Sequence, residues 1–152
     1  MNVIITGNQS FCKYPNLTST RYAKNPVAAT DALIRYDEEM ALLEQIIVKS
    51  QFPIKTVLSS SGPGLDQAVE RWAGSKQLKV KRFKPLWVKD GQRNKKAGFE
   101  KLAEMIQAAD AAIVILGSEP DKRSLSIIRD MRKKGKPLFV SNLPTLKVDL
   151  KS

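Results

Sequence analysis

The chain has 152 residues, 42% hydrophobic and 27% charged, which suits one domain around one core and argues against a disordered, collagenous or membrane-embedded chain. It has no histidine and one cysteine, Cys12, which excludes histidine-dependent nucleophile systems, an internal disulfide and a thiolate zinc cage. The net charge of +11 is one-sided: residues 1–70 hold six basic and seven acidic side chains, residues 71–152 twenty and eight, a field that attracts anions.

Residues 3–6 (Val, Ile, Ile, Thr) predict a buried first strand ending at Gly7. Without a basic leader or a signal-length apolar stretch before it, a cytoplasmic protein is expected. A loop with Pro15 and Pro26 follows, and Thr30-Asp31 is expected to open a helix. Its stripe of Leu33, Tyr36, Met40, Leu43 and Ile47 advances by alternating threes and fours until Phe52-Pro53. Residues 56–59 predict a second strand, then Leu65, Ala68, Val69, Trp72 and Ala73 mark a second core-facing helix. Residues 78–83 alternate apolar and basic side chains, as an edge strand with one wet face does.

Residues 84–96 read as a basic loop around Trp87 and Gly91. Phe99, Leu102, Ala103, Ile106 and Ala109 mark a third helix, and residues 111–116 a central apolar strand ending at Gly117. Leu125, Ile128 and Met131 line a fourth helix, closed by Gly135. Residues 137–141 form a last strand, which sets a core of 1–141 and an irregular tail of 142–152. No run approaches the ~18–20 apolar residues of a membrane span, so no membrane partner is expected.

Five strands separated by helices predict a single α/β domain, Rossmann-like, with a mainly parallel sheet, helices on both faces and strand order 3-2-1-4-5. Ligands of such sheets bind outside the carboxyl ends of the strands, where the winding reverses. Residues 7–11, 59–66, 85–91 and 117–124 should therefore meet on one rim.

Residues 59–64, Ser-Ser-Ser-Gly-Pro-Gly, stand between a strand and a helix. Small residues admit a close ligand, the hydroxyls donate, and a helix start attracts phosphate. The stretch is neither a P-loop nor a GxGxxG fingerprint, and a tight turn that binds nothing is the alternative. The expected ligand-binding set is Gly7, Asn8, Gln9, Ser60, Ser61, Gly62, Gly64, Asp66, Trp87, Gly117 and Ser118. Asp66 would take sugar hydroxyls and Trp87 would flank a base. Ser118 or Ser124 would otherwise cap the fourth helix.

Asp66 and Glu119 are the carboxylates at strand ends, and as a pair they would support N-glycosidic bond cleavage. Cys12, lacking a histidine, is a poor nucleophile candidate. The basic clusters supply a different reading. Arg82, Lys84, Arg93, Lys95 and Lys96, with Arg129, Arg132, Lys133 and Lys134 on the fourth helix, would track a nucleic-acid backbone.

The order of motifs resembles the SLOG superfamily, and within it the YspA-like branch, related to the Lonely Guy phosphoribohydrolases and the DNA-processing protein of transformation. The resemblance runs from Thr6-Gly7 through residues 59–66 and Trp72-Ala73 to Phe83, Trp87, Gly91, Ala97-Gly98 and residues 109–111. Of the family's Ser-Gly-Gly-Ala-Arg-Gly-Ala-Asp, Ser59, Gly64 and Asp66 match. The family's Gly-Ser-Arg is Gly7-Asn8-Gln9 here, its Arg-Asn pair falls at Lys101-Leu102, and the Lonely Guy phosphate loop is reduced to Gly117-Ser118-Glu119. The resemblance implies a single SLOG-like domain with a pocket for a nucleotide-type small molecule such as an ADP-ribose-like molecule, a cyclic nucleotide or a nucleoside monophosphate. It also implies a sensor or sequestering role in bacterial–phage conflict. The alternatives are a basic nucleic-acid-binding protein and a hydrolase. No cofactor and no metal are expected, and homo-oligomerisation is left open.

Overall fold

The computed structural model describes residues 1–85 and 88–143. Trp87 and the tail from 144 onward lie outside the described residues. The elements in chain order are β1 (Asn2–Gly7), α1 (Thr20–Ala23), α2 (Pro26–Ser50), β2 (Thr56–Ser59), α3 (Leu65–Ser75), β3 (Lys79–Arg82), β4 (Val88–Lys89), β5 (Gln92–Arg93), α4 (Ala97–Ala108), β6 (Ala111–Leu116), α5 (Lys122–Lys133) and β7 (Leu138–Asn142). β3, β2, β1, β6 and β7 form one parallel sheet in that order, and β4 and β5 pair as a separate antiparallel hairpin. The numbering departs from the expected order only through the two hairpin strands; counted without them the sheet runs 3-2-1-4-5.

β6 is apolar along its whole length, and β1 over residues 3–5, because each faces two cores. Val3 and Ile5 of β1, with Ala111, Ile113 and Ile115 of β6, pack under α2 and α3. Ile4, with Ala112, Val114 and Leu116, packs under α4 and α5. Fully burying a side chain of this kind contributes about 1.5–3 kcal/mol. Trp72 sits in the first core, as its spacing predicts.

Four sequence expectations change. Helix α2 begins at Pro26 rather than Thr30, because Asn25 caps it (Oδ1 accepts from Ala28 N–H, 3.1 Å) and proline suits the first helical position. The basic loop holds a hairpin, turned by Asp90 and Gly91 at φ of 55° and 76°. In α4 the buried residues are Ala97, Met105 and Ile106, whereas Ala103 is exposed and Phe99, at the start of the helix, is 78% exposed. In α5 the buried stripe takes Ser124, Ile127, Ile128 and Met131, leaving Leu125 47% exposed. Among the described residues no helix is long and apolar enough to cross a membrane.

Candidate functional site

The winding reverses between β1 and β6, so the carboxyl ends of these strands are where a ligand crevice is expected. Here the chain closes that crevice itself. Asn8 N–H donates to the Ile115 carbonyl (2.9 Å), and the Asn8 carboxamide packs on Gly117 where a Cβ would overlap it. Gly64, at φ 69°, turns against the Gln9 carbonyl in the same way. The glycines do bring the loop tips together, but they serve approach of chain to chain.

Under the tips lies Asp66, in the first turn of α3 and 1% exposed. Its carboxylate accepts from Thr6 Oγ1 (3.2 Å), Gln9 Nε2 (3.2 Å), Gly62 N–H (3.0 Å) and Ser60 Oγ. Arg123, from the first turn of α5, reaches across the rim: Nη1 donates to Ser60 Oγ (2.9 Å) and Nη2 to Thr6 Oγ1 (3.1 Å), with Nη1 3.5 Å from Asp66 Oδ2. Two hydroxyls thus relay the guanidinium to the carboxylate. A buried charge persists only when paired and hydrogen-bonded, and Asp66 is both. Its oxygens are occupied by the protein's own donors. Glu119 is exposed in the turn after β6, an environment unlike that of Asp66.

The structure therefore unites Gly7, Asn8, Gln9, Ser60, Ser61, Gly62, Gly64, Asp66 and Gly117 around one network, with Ser118 exposed at its edge. Arg123 is a residue that sequence reasoning missed; in the sequence it stands beside Lys122 at the head of the basic residues of the fourth helix. Its position just after Asp121, the N-cap of α5, was the available signal, since that turn had to face the rim. Neither Ser118 nor Ser124 caps α5; Asp121 is the N-cap residue, without a side-chain cap bond.

The rim opens on the α4/α5 side. A cavity of about 360 Å³ there is lined by Lys95, Phe99, Lys101, Leu102, Lys122 and Arg123, with Gly98 and Ser126. Burial, then the Arg123 charge, holds the Lys101 ammonium below its usual pKa, with Asp66 opposing. Such a site is short of negative charge. Among the described residues, six buried side-chain polar atoms lack a hydrogen-bond partner, and five belong to this region: Gln9 Oε1, Ser61 Oγ, Asp121 Oδ1, Arg123 Nε and Ser124 Oγ. The sixth, Trp72 Nε1, lies in the core. Of these, only Arg123 lines the cavity; the others lie in the rim loops and the first turn of α5.

Other candidates lie apart. Cys12 is fully buried and its thiol is pushed up to about 12, by burial first and by the Glu39 charge second, so it stays protonated and inert at neutral pH. Arg82 is paired with Glu70 (2.7 Å), while Lys84, Arg93, Lys95 and Lys96 are exposed near the rim. Arg132, Lys133 and Lys134 close α5 at its far end, and a helix of 12 residues spans about 18 Å. Arg129 is 73% exposed and its only ion-pair partner among the described residues is its neighbour Asp130. Lys136 donates to the Ile106, Gln107 and Ala109 carbonyls at 2.6, 3.2 and 2.8 Å, capping α4. The two basic clusters thus occupy opposite ends of the domain. Among the described residues no group of three or more His, Cys, Asp or Glu side chains is placed to hold a metal ion. No family model, curated protein or solved structure matches the chain.

Proposed function

We propose that the chain binds a phosphate-bearing, nucleotide-type ligand in the α4/α5 cavity at the carboxyl rim. Arg123 carries this reading: it is locked between Thr6 and Ser60 at the mouth of a cavity that also presents Lys95, Lys101 and Lys122. Fixed guanidinium and ammonium donors at a parallel sheet's rim suit a phosphate group. Phe99, exposed on the same wall, offers a face on which a base can stack. The pocket class is the one that the SLOG resemblance implies, with Phe99 in the stacking role expected of Trp87.

Binding without bond cleavage is favoured because the rim's buried carboxylate, Asp66, is committed to internal donors and the Cys12 thiol is held protonated. A sensor or sequestering protein is the corresponding role. Native mass spectrometry of protein purified from cells tests the reading. A retained mass matching a phosphorylated nucleoside, lost from the Lys101→Met protein, is expected; release of only unphosphorylated compounds, or of none after nucleotide addition, contradicts it.

A further inference from the structure

A second cavity, also about 360 Å³, opens beside the loop after β1, on the α2 side of the sheet. The chain has three tyrosines, and all of them (Tyr14, Tyr22 and Tyr36) line it. The rings are braced. Tyr14 and Tyr36 meet edge to face with centroids 5.0 Å apart, and the Arg71 guanidinium lies 5.9 and 5.5 Å from their centres. Arg71 is not among the residues lining the cavity, so it braces the rings from outside it.

Glu39 and Arg35 also line the cavity. They stand one turn apart on α2, which sets a carboxylate acceptor beside a forked donor. Burial raises the Glu39 pKa. Aromatic walls beside a carboxylate acceptor and a guanidinium donor suit a flat ring with complementary polar atoms along one edge. The Watson–Crick edge of guanine carries adjacent N–H donors next to a carbonyl acceptor, which matches Glu39 followed by Arg35.

We propose that this cavity seats a guanine base, stacked on the face of one tyrosine ring and met edge-on by another, with Glu39 accepting from its N–H edge and Arg35 donating to its carbonyl oxygen. The base can belong to a free nucleoside or to an unpaired position of a single strand, and recognition of an unpaired base by stacking and edge bonding is the same in both. No phosphate is required, so this site stands apart from the α4/α5 cavity.

Calorimetric titration with guanosine, 1-methylguanosine and adenosine, and with a single-stranded oligonucleotide holding one guanine, tests the assignment. Guanosine is expected to bind better than either analogue. Tyr36→Ala, and independently the half-exposed Tyr14→Ala, should weaken it about tenfold or more, in line with the loss of one stacking partner. Glu39→Gln should erase the preference over 1-methylguanosine, and Lys101→Met should change nothing. Binding of the oligonucleotide but not of guanosine assigns the base to a nucleic-acid strand and keeps the site. Failure of both to bind, equal binding of adenosine, or unchanged affinity in both tyrosine variants overturns the proposal.

Discussion

The two ends of helix α5 carry similar charge and use it differently. At its start Arg123 is 26% exposed, donates to two hydroxyls and neutralises a buried carboxylate. At its end Arg132, Lys133 and Lys134 are exposed and favour the helix dipole. Position relative to the sheet makes the difference. The parallel sheet sends every following helix start to the carboxyl rim, where loops crowd and charges become ordered, whereas the helix end emerges into solvent. A dense basic run is therefore two separate things on one helix.

The largest effect should come from breaking the ordered end. Arg123→Met leaves Asp66 buried without its cation and should cost about 3–5 kcal/mol in denaturant unfolding. Adding Asp66→Asn to that variant should recover part of the loss; equal stability of Arg123→Met and the native chain would reduce the pair to a surface contact.

An intermediate effect sharpens the contrast through pH. Lys101 is held below its ordinary pKa of 10.5 by burial and then by Arg123, and a bound phosphate would restore it. Charged Lys101 is the binding form, so affinity for phosphate should fall as pH rises toward that lowered value, with proton uptake on binding in alkaline solution. Lys101→Met should flatten the profile, as seen by titration calorimetry in buffers of different ionisation enthalpy. The smallest effect belongs to the far end: replacing Arg132, Lys133 and Lys134 by glutamine should each shift stability by no more than about 0.5 kcal/mol. Salt-sensitive retention of nucleic acid that vanishes in the triple variant would instead give that end a function of its own.

Much of this architecture was legible in the residues. Continuous apolar runs such as residues 111–116 announce strands covered on both faces, and the 65, 68, 69, 72, 73 spacing announces α3, because burial periodicity is local information. Convergence of residues 7–11, 59–66 and 117–124 followed from the parallel order alone; the expected fourth segment, 85–91, lies partly outside the described residues. What the spacing did not reveal was occupancy. Asn8 fills the crevice at Gly117, and Asp66 faces inward under Arg123, because both outcomes depend on contacts across more than fifty residues of chain. Phe99 misled for a related reason: its spacing fits the buried stripe, yet it sits at the start of α4 on the wall of the rim cavity. The hairpin and the early start of α2 were readable, from Asp90-Gly91 and Asn25-Pro26, as turn and cap chemistry.

Titration of inorganic pyrophosphate, which carries no base and so cannot use the tyrosine cavity by stacking, probes the ordered cations alone. At physiological salt the native chain and Arg132→Met should saturate with the same affinity, and Lys101→Met should bind about tenfold more weakly, the loss of one charge-assisted hydrogen bond. Indistinguishable curves for all three proteins, or weakening by Arg132→Met alone, would contradict an anion seat at the start of α5.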